Sequence, residues 1–494
     1  MNVCNLHKAS EVLMPLPVEI KDNNGFVRLI DNLNYTISPT FSDLNVLLQE
    51  EFKLKKEINS FIKINVNKDL KEEEYLLLVK EDVILIQAST KKGAFHGIQT
   101  LRQLYISGNG LIPCCEIKDF PAYSYRGFML DCSRHFVTVK EILKLIDIAS
   151  IHHLNYFHWH LTDDQGWRIA IPEFEKLTQI GARRKSLNYQ EEVWDYHFYN
   201  ELEIKTVIEY ASKRYIEVIP EIDLPGHSGA LLTAYPEFAC KKEGHFVREQ
   251  WGVFNETICI GNEEFYDFFR KILDYITKLF PSRYIHIGGD ECQIDSWENC
   301  PKCNRKLKEL GLDSFHEFQT YFTTRISRII VDEYKKIPIG WDEILDYNIK
   351  YSIPEEMIVM VWRNNKAVQK AIKSGHKIIN CSLEDGCYLN FYHTDAPEES
   401  GNLEVSTIEK VSKYNPIKEI EKKDKNLVIG GQGNLWTEKV YFSKQCEYMM
   451  YPRLSILAEK LWNSQDFNSF EKRKEILIER LRKLNIDCYS GPSR

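Results

Sequence analysis

The sequence has 494 residues, of which 43% are hydrophobic and 28% are charged, a composition typical of globular proteins with a large buried core. Its net charge of −8 argues against nucleic acid as a partner, because phosphate binding needs a basic surface. No apolar run reaches the length of about 18 residues that a membrane helix needs, so we expect no membrane span.

The N-terminus and the cysteines predict a cytoplasmic protein. Residues 1–20 contain no apolar segment behind a basic start, so we expect no signal peptide. The 13 cysteines are odd in number and scattered, which indicates reduced thiols in a chain of this length. Cys300 and Cys303 form a Cys-x-x-Cys pair, but no second pair follows at zinc-ribbon spacing. We therefore interpret them as ordinary thiols and expect neither a metal nor a cofactor.

Residues 1–120 predict a small α+β domain. Apolar residues alternate at period two in some segments and recur at helical spacing in another. The predicted elements are a strand at 61–66, a hairpin at 75–79 and 83–88, and a helix at 91–106. Pro113 and Pro121 predict a linker to the next domain.

Residues 121–494 show short apolar runs that alternate with amphipathic stretches. A helix is predicted at 263–280, and closing helices are predicted at 454–461 and 470–484. The eight candidate strands lie at 126–131, 155–161, 215–223, 284–289, 337–341, 357–362, 376–381 and 427–431. A strand followed by a helix, eight times over, predicts a (β/α)8 TIM barrel, so the fold class is α/β with a small α+β domain in front.

Acidic and aromatic residues follow nearly every candidate strand, at the end where such barrels place their sites. The main ones are Asp131, His158, His160, Asp163, Glu221, Asp223, His227, Asp290, Glu291, Trp341, Trp362, Tyr388, Asn390, Trp436 and Glu438. One such group alone fits an ordinary core or a solvated turn, but their recurrence at one end of the barrel favours a functional site. In HIGGDE, the two glycines end the strand pleat, so Asp290 and Glu291 can face one bowl.

A bowl of carboxylates and indoles suits a sugar, because indole faces cover the pyranose ring and carboxylates accept hydroxyl protons. Glycoside cleavage needs a protonated acid at the leaving oxygen. Glu291 stands beside a second acid and among indoles, and both burial and like charge raise a carboxyl pKa. We therefore predict that Glu291 has a raised pKa and acts as the general acid.

Five motifs, RGFMLDCSRHF, HWHLTDDQGWR, PEIDLPGH, HIGGDE and GGQGNLWTE, closely resemble the β-N-acetylhexosaminidases of glycoside hydrolase family 20. The resemblance covers residues 123–465, and residues 1–120 are similar to the domain that precedes the barrel in that family. It implies an exo-acting enzyme that removes terminal non-reducing β-linked GlcNAc or GalNAc from glycans. In that family the acetamido oxygen of the substrate attacks the anomeric carbon, forms an oxazolinium ion and leads to retention. The implied partner is a glycan or oligosaccharide, and a homodimer stays open.

The resemblance also implies roles for individual residues. Glu291 resembles the general acid and base, Asp290 the residue that orients the acetamide, and Tyr388 the hydroxyl donor to the acetamido oxygen. The other roles are support of the acid by Asp163 and His227, binding of outer sugar hydroxyls by Arg126 and Glu438, and indole walls from Trp341, Trp362 and Trp436.

One position departs from the family pattern. The family usually reads Tyr-x-Asp, whereas this sequence reads Tyr388-Leu389-Asn390. Asparagine has a single acceptor oxygen, a donor NH2 group and no charge, so we expect altered specificity at the outer hydroxyls. The alternative is that Asp385 or Asp395 supplies the missing carboxylate.

Two other classes of protein remain as alternatives. A metal-dependent amidohydrolase would use His158 and His160, with His227, His286 and Asp290 completing the ligand set. Tryptophan walls do not suit such a metal centre. A sugar-binding protein without catalysis is the second alternative, and the retention of Asp290, Glu291 and Tyr388 argues against it.

Overall fold

The structure, a computed structural model, describes residues 7–29, 34–52, 55–56, 60–185, 194–347, 350–394, 400–463 and 467–491. Two hydrophobic cores are present, a smaller one in the N-terminal domain and a larger one in the barrel. Within the described ranges, no helix has both the length and the apolar character needed to cross a membrane.

The N-terminal domain is built on a seven-stranded sheet with the strand order β1-β7-β5-β6-β4-β2-β3. The predicted hairpin is confirmed, since β5 and β6 pair antiparallel, and the predicted helix is α3. The strands are β1 (Glu19–Arg28), β2 (Asn34–Ile37), β3 (Lys55–Lys56), β4 (Ile62–Val66), β5 (Tyr75–Lys80), β6 (Val83–Ala88) and β7 (Leu111–Asp119), and the helices are α1 (Ala9–Val12), α2 (Asn45–Phe52) and α3 (Lys91–Ser107).

The predicted linker after Pro113 is wrong, because residues 111–119 form β7 inside the sheet. Proline lacks a backbone N–H and is tolerated in a strand only at an edge, a start or a bulge. Pro113 pairs with Phe26 at an irregularity in β1, and the ladder to β5 begins only at Cys115. The proline therefore costs the sheet little, which sequence alone does not reveal.

Eight parallel strands close the barrel, and all eight predicted strands are present within a few residues of their predicted bounds. The barrel strands are β8 (Tyr125–Asp131), β9 (Tyr156–His160), β14 (Glu217–Glu221), β15 (Tyr284–His286), β16 (Ile337–Trp341), β17 (Ile358–Val361), β18 (Ile378–Asn380) and β21 (Val428–Leu435). Short strand pairs in the loops are β10 (Thr162–Asp163) with β11 (Gly166–Trp167), β12 (Arg183–Lys185) with β13 (Trp194–Tyr196), and β19 (Phe391–Tyr392) with β20 (Asn402–Val405). The predicted fold class is thus confirmed.

Helices cover the barrel, and the predicted helix at 263–280 is α8, whose phenylalanines face the core. The predicted closing helices are α15 and α16. The helices are α4 (Val139–Ile151), α5 (Lys176–Gln179), α6 (Glu201–Ser212), α7 (Gly229–Ala234), α8 (Glu263–Leu279), α9 (Asp295–Glu298), α10 (Pro301–Leu310), α11 (Phe315–Arg328), α12 (Asn365–Lys373), α13 (Ile408–Ser412), α14 (Ser443–Met450), α15 (Arg453–Trp462) and α16 (Phe467–Lys483).

The last helices fasten the barrel to the N-terminal domain. Trp462 at the end of α15 belongs to the N-terminal core, and its indole N–H donates to Asp119 at 2.9 Å. On α16, Arg473 pairs with Glu459 at 2.6 Å and Arg480 donates to the Val12 carbonyl at 2.9 Å. The C-terminal end of the chain thus packs against its beginning.

Candidate active site

The turn after β15 brings two carboxylates together. Gly288 and Gly289 have φ angles of +66° and +99°, so β15 ends at His286, earlier than predicted. A Cβ atom on residue 288 would lie 1.6 Å from Asp223 Oδ1, which only glycine avoids. The turn places Asp290 Oδ2 at 3.7 Å and Glu291 Oε2 at 3.6 Å from His227 Nε2.

His227 links these carboxylates to a second acidic pair on the loop after β9. Its Nδ1 lies 3.2 Å from Asp163 Oδ1 and 3.3 Å from Asp164 Oδ2. Since these acids surround the imidazole, and Asp163 contributes most, they raise the pKa of His227 well above its ordinary value despite burial. His227 is therefore a cation at neutral pH, held between two pairs of acids.

The prediction of a raised pKa for Glu291 is wrong in this geometry. The interaction with the His227 imidazole, 3.6 Å away, lowers the pKa of Glu291 and outweighs burial, because the side chain is still 39% exposed. Burial instead raises the pKa of Asp290 to about 6 and that of Glu343 to about 8. The like-charge effect therefore falls on the two more deeply buried acids, whereas Glu291 lies 3.6 Å from the His227 imidazole.

Asp290 retains an acceptor atom that the protein does not use. The residue is only 9% exposed, and Asp290 Oδ1 has no hydrogen-bond partner among the described residues. A buried carboxylate oxygen without a partner is costly, so it is suited to accept an N–H from a bound molecule.

The aromatic side chains that the sequence analysis singled out lie close together at the bowl. Trp341 and Trp436 lie with ring centroids 5.9 Å apart, and Trp362 stacks near Tyr388 at 6.0 Å. Burial raises the pKa of Tyr388 well above its ordinary value, so its hydroxyl stays protonated. The bowl thus offers indole faces and one neutral O–H donor.

Two residues after β16 that sequence reasoning left without a role support this wall. Asp342 accepts from the backbone N–H of Trp362 at 2.9 Å and from Arg363 Nε at 2.5 Å. Glu343 accepts from the backbone N–H of Glu291 at 2.8 Å, where Glu291 has a left-handed φ of +49°. Both acids follow a barrel strand directly, and this position is the signal that marks them.

Arg126 does not lie in the bowl, and its predicted contact with sugar hydroxyls is wrong. It is the second residue of β8, so it stands at the opposite end of the barrel from Asp131. Its guanidinium is fully buried, pairs with Glu73 of the N-terminal domain at 2.7 Å and lies over Trp462. The residue therefore joins the two domains.

Arg134, three residues beyond the end of β8, occupies the bowl instead. Its Nη2 lies 2.8 Å from Asp163 Oδ2, and its guanidinium stacks over Trp436 at 5.0 Å. Glu438 is close enough for the charge of Arg134 to lower its pKa, although burial raises that pKa overall. The rule that functional residues follow barrel strands would have selected Arg134 rather than Arg126.

Asn390 is buried beside Tyr388, with 3% exposure. Its side-chain oxygen has no hydrogen-bond partner among the described residues. Asp385, one of the proposed substitutes for a carboxylate here, is buried enough to raise its pKa, an effect that the charges of Lys418 and Lys410 partly offset. Asp395, the other, lies outside the described residues.

The histidines of the amidohydrolase alternative are occupied beneath the bowl. His158 Nε2 and His286 Nδ1 each lie 2.9 Å from Glu221, and His160 Nδ1 lies 2.5 Å from it. Trp341 Nε1 also donates to Glu221 at 3.0 Å. This fully buried cluster packs beneath the indole of Trp341, and Glu221 contacts all three histidines.

Cys300 and Cys303 are free thiols, as predicted, but they do not stand alone. The two side chains meet Cys240 and Cys259, so that all four sulfur atoms lie within 4.8 Å of one another. The partners come from the loop after β14 rather than from a second Cys-x-x-Cys pair, which is why spacing in the sequence did not show them.

A TIM barrel whose strand ends carry paired acids, a buried tyrosine and an indole wall defines the glycoside hydrolase class of site. The family model of the glycosyl hydrolase family 20 catalytic domain matches residues 123–465, and that of domain 2 of the same family matches residues 11–120. The chain belongs to glycosyl hydrolase family 20.

Relatives and solved structures agree with this assignment. A β-hexosaminidase of Porphyromonas gingivalis is 34% identical over 95% of this chain and 63% of its own length, and one of Akkermansia muciniphila is 30% identical over 85% of this chain and 86% of its own. This chain thus spans less than two thirds of the first relative. The structure of an exo-β-N-acetylglucosaminidase from Vibrio harveyi with N-acetylglucosamine superposes with a TM-score of 0.89 at 28% identity, over 98% of this chain and 79% of that one. A β-N-acetylhexosaminidase from Bacteroides fragilis gives 0.85 at 30% identity, over 98% and 97%.

Proposed function

We propose that the protein is an exo-acting β-N-acetylhexosaminidase that hydrolyses terminal non-reducing β-linked GlcNAc or GalNAc from glycans. The observation that carries this proposal is the pair Asp290 and Glu291 on one cationic imidazole, beside an indole wall. Family membership and the names of the relatives support it. The turn after β15 serves this chemistry, because Asp290 faces the acetamide and Glu291 faces the leaving oxygen.

The chemistry follows from the positions of these groups. The acetamido oxygen of the sugar attacks the anomeric carbon while the bond to the leaving oxygen breaks, and Glu291 gives that oxygen a proton. Glu291 receives this proton from the His227 imidazolium, whose Nε2 lies 3.6 Å away, and His227 becomes neutral. In the second step of the reaction, water attacks the anomeric carbon of the oxazolinium ion while the Glu291 carboxylate removes a proton from that water. The oxazolinium ring opens, and the anomeric configuration of the substrate is retained.

Asp290 and Tyr388 hold the acetamide for this attack. The free Oδ1 of Asp290 accepts the acetamide N–H, and the carboxylate stabilises the positive charge that develops on the ring. The Tyr388 hydroxyl donates to the acetamido oxygen and aims it at the anomeric carbon. The protein supplies no nucleophile of its own.

The test uses a chromogenic β-GlcNAc substrate, NMR of the first-formed anomer and a thiazoline mimic of the cyclised sugar. We expect hydrolysis, initial release of the β-anomer and strong inhibition by the thiazoline. A protein that binds the thiazoline but hydrolyses nothing would be the sugar-binding alternative. Inversion, or a glycosyl ester on the protein in mass spectrometry, would contradict the mechanism.

Cellular location and assembly stay predictions from the sequence. We propose a reducing, cytoplasmic compartment, which is supported by the cysteines, since all twelve within the described part of the chain are free. Cell fractionation tests the location. Light scattering of the purified protein decides between a monomer and a homodimer.

We expect the same substitution to lower activity at Arg134 and stability at Arg126. Arg134→Met should lower kcat/KM by about 10- to 150-fold, the loss of one charge-assisted hydrogen bond of about 1.5–3 kcal/mol. Arg126→Met should leave KM unchanged but lower the free energy of unfolding by about 3 kcal/mol, because it leaves Glu73 without its buried partner. Kinetics and urea unfolding of both variants measure this, and the reverse pattern would restore Arg126 to the sugar site.

The amide of Asn390, in place of a carboxylate, leads to a prediction about which sugars the site prefers. A carboxylate here would accept from the outer hydroxyls more strongly, by about 0.5–2 kcal/mol, than a neutral amide does. We therefore expect a weak preference between GlcNAc and GalNAc, or acceptance of a 6-modified sugar. Asn390→Asp should raise kcat/KM on unmodified GlcNAc by about 2- to 30-fold and sharpen the discrimination.

The measurement compares kcat/KM of wild type and Asn390→Asp on GlcNAc, GalNAc and 6-sulfated GlcNAc substrates. Asp385→Asn is the matched control, because it removes the other described acid that could serve as the acceptor. Ratios that stay the same in Asn390→Asp but change in Asp385→Asn would assign the outer hydroxyls to Asp385.

A further inference from the structure

Four cysteines converge about the N-terminus of α10, away from the carboxylate bowl. Sγ of Cys240 lies 3.7 Å from Sγ of Cys303, and Sγ of Cys259 lies 3.6 Å from those of both Cys300 and Cys303. Three of the four side chains are buried, and Cys240 is half-buried. No pair within this cluster is at the bonding distance of a disulfide, about 2.05 Å.

These separations match those of a tetrahedral metal thiolate. With a zinc–sulfur bond of about 2.3 Å, the edge of a regular tetrahedron is about 3.8 Å. The observed values of 3.6 and 3.7 Å are within about 0.2 Å of that edge, which is the tolerance expected of a metal site. Three of the six sulfur–sulfur distances thus have the length of such an edge, and all six are within 4.8 Å.

The surroundings also suit a bound, doubly negative tetrathiolate. Cys300 is the N-cap of α10 and Cys303 lies in its first turn, where the helix dipole stabilises negative charge. Lys241, Lys242 and Lys302 adjoin the cysteines in the sequence. Two backbone segments pack closely beside the cysteines, because a Cβ on Gly261 would lie 2.5 Å from the Lys302 carbonyl carbon.

We propose that Cys240, Cys259, Cys300 and Cys303 bind one structural Zn²⁺ ion. A closed set of four thiolates is typical of structural zinc, whereas catalytic zinc keeps an open position. The ion takes no part in glycoside cleavage.

The position of the cluster indicates that the ion connects two segments of the active site. Cys240 and Cys259 belong to the loop after β14, which carries His227, and Cys300 and Cys303 follow the turn that carries Asp290 and Glu291. Hydrogen bonds reinforce the connection: Trp297 Nε1 donates to the Ile258 carbonyl at 2.8 Å, and Ile258 N donates to the Pro225 carbonyl at 3.0 Å. The ion therefore fastens the imidazole loop to the carboxylate turn.

The first experiment measures the metal in wild-type protein purified without a polyhistidine tag. Mass spectrometric metal analysis should find about one zinc per chain, as expected for a Cys4 site. Titration with an organomercurial should release that zinc, read by a chromogenic chelator, as the thiols are blocked. Protein without metal, or with iron in place of zinc, would overturn the proposal, as would two disulfides in a peptide map.

The second experiment compares Cys303→Ser with Cys446→Ser, which alters a buried cysteine of α14 outside the cluster. We expect Cys303→Ser to lose the zinc, melt at lower temperature and lose activity through kcat rather than KM. Cys446→Ser should keep its zinc. If Cys303→Ser fails to fold, the zinc release from wild type still decides.

Brief exposure of the zinc-loaded protein to EDTA separates a structural ion from a catalytic one. We expect unchanged kcat as long as the zinc remains bound, because no step needs a Lewis acid. Metal content is measured without substrate, so absence of zinc and absence of hexosaminidase activity are independent results. Loss of activity that added zinc restores within the dead time of the assay would instead place the metal in the reaction.

Discussion

Glu291→Gln is expected to lower kcat/KM on natural oligosaccharides by about 10²–10⁴-fold, the contribution of a general acid. The amide cannot give a proton to a poor leaving group, which is the hard part of the first step. An aryl glycoside with a strongly acidic leaving group should lose much less in that step, because its oxygen departs without a proton. Steady-state kinetics on both substrate types measure the difference.

The matched control for this variant is Glu298→Gln, an exposed acid at the end of α9, seven residues further along the chain. It should leave both rates unchanged. Equal losses on the two substrates in Glu291→Gln would point to a misfolded turn rather than to a missing proton donor. A near wild-type rate on oligosaccharides would show that the acid is another residue.

Asp290→Asn is expected to lower kcat by about 10²–10³-fold, the usual cost of removing one group that stabilises charge in the transition state. KM should change little, since the contact with developing charge is made chiefly in the transition state. Asp295→Asn, an exposed acid at the start of α9, is the control. A loss confined to KM would mean that Asp290 only binds the sugar.

The raised pKa of Asp290 also fixes an acid limb of the pH profile. Burial places this pKa at about 6, and the carboxylate acts only when it is ionised. Lowering the pH through 6 therefore protonates Asp290, and kcat/KM of wild type should fall there. In the residual activity of Asp290→Asn this limb should be absent; a limb that persists at the same pH belongs to another group.

Much of the fold could be predicted, because the barrel strands are short apolar runs between long amphipathic helices such as α8. Regular periodicity is a local property that the sequence displays directly. β7 was not predicted, because proline normally interrupts a strand. Pro113 is tolerated here because it lies opposite an irregularity in β1. Such positions depend on the neighbouring strand, which local pattern does not reveal.

The features of the site also fall into those that the sequence predicts and those that depend on contacts in the fold. Residues that directly follow a barrel strand, such as Asp290, Trp341 and Trp436, could be found from the sequence, because the fold gathers strand ends. Arg126 was assigned by resemblance of its motif, but its place at the start of β8 points it towards the other domain. The lowered pKa of Glu291 depends on the distance to His227, and the thiol cluster depends on loop packing.

The pairing of Arg126 with Glu73, and of Trp462 with Asp119, means that the border at residue 120 is a border in the sequence but not in the folded protein. A barrel cut free of the first domain would keep a buried guanidinium without its carboxylate and an indole without its acceptor. The bowl and the N-terminal sheet thus lie at opposite ends of a barrel whose lower end is completed by the first domain. We therefore expect that a cut at residue 120 destabilises the barrel even though it leaves every residue of the bowl in place.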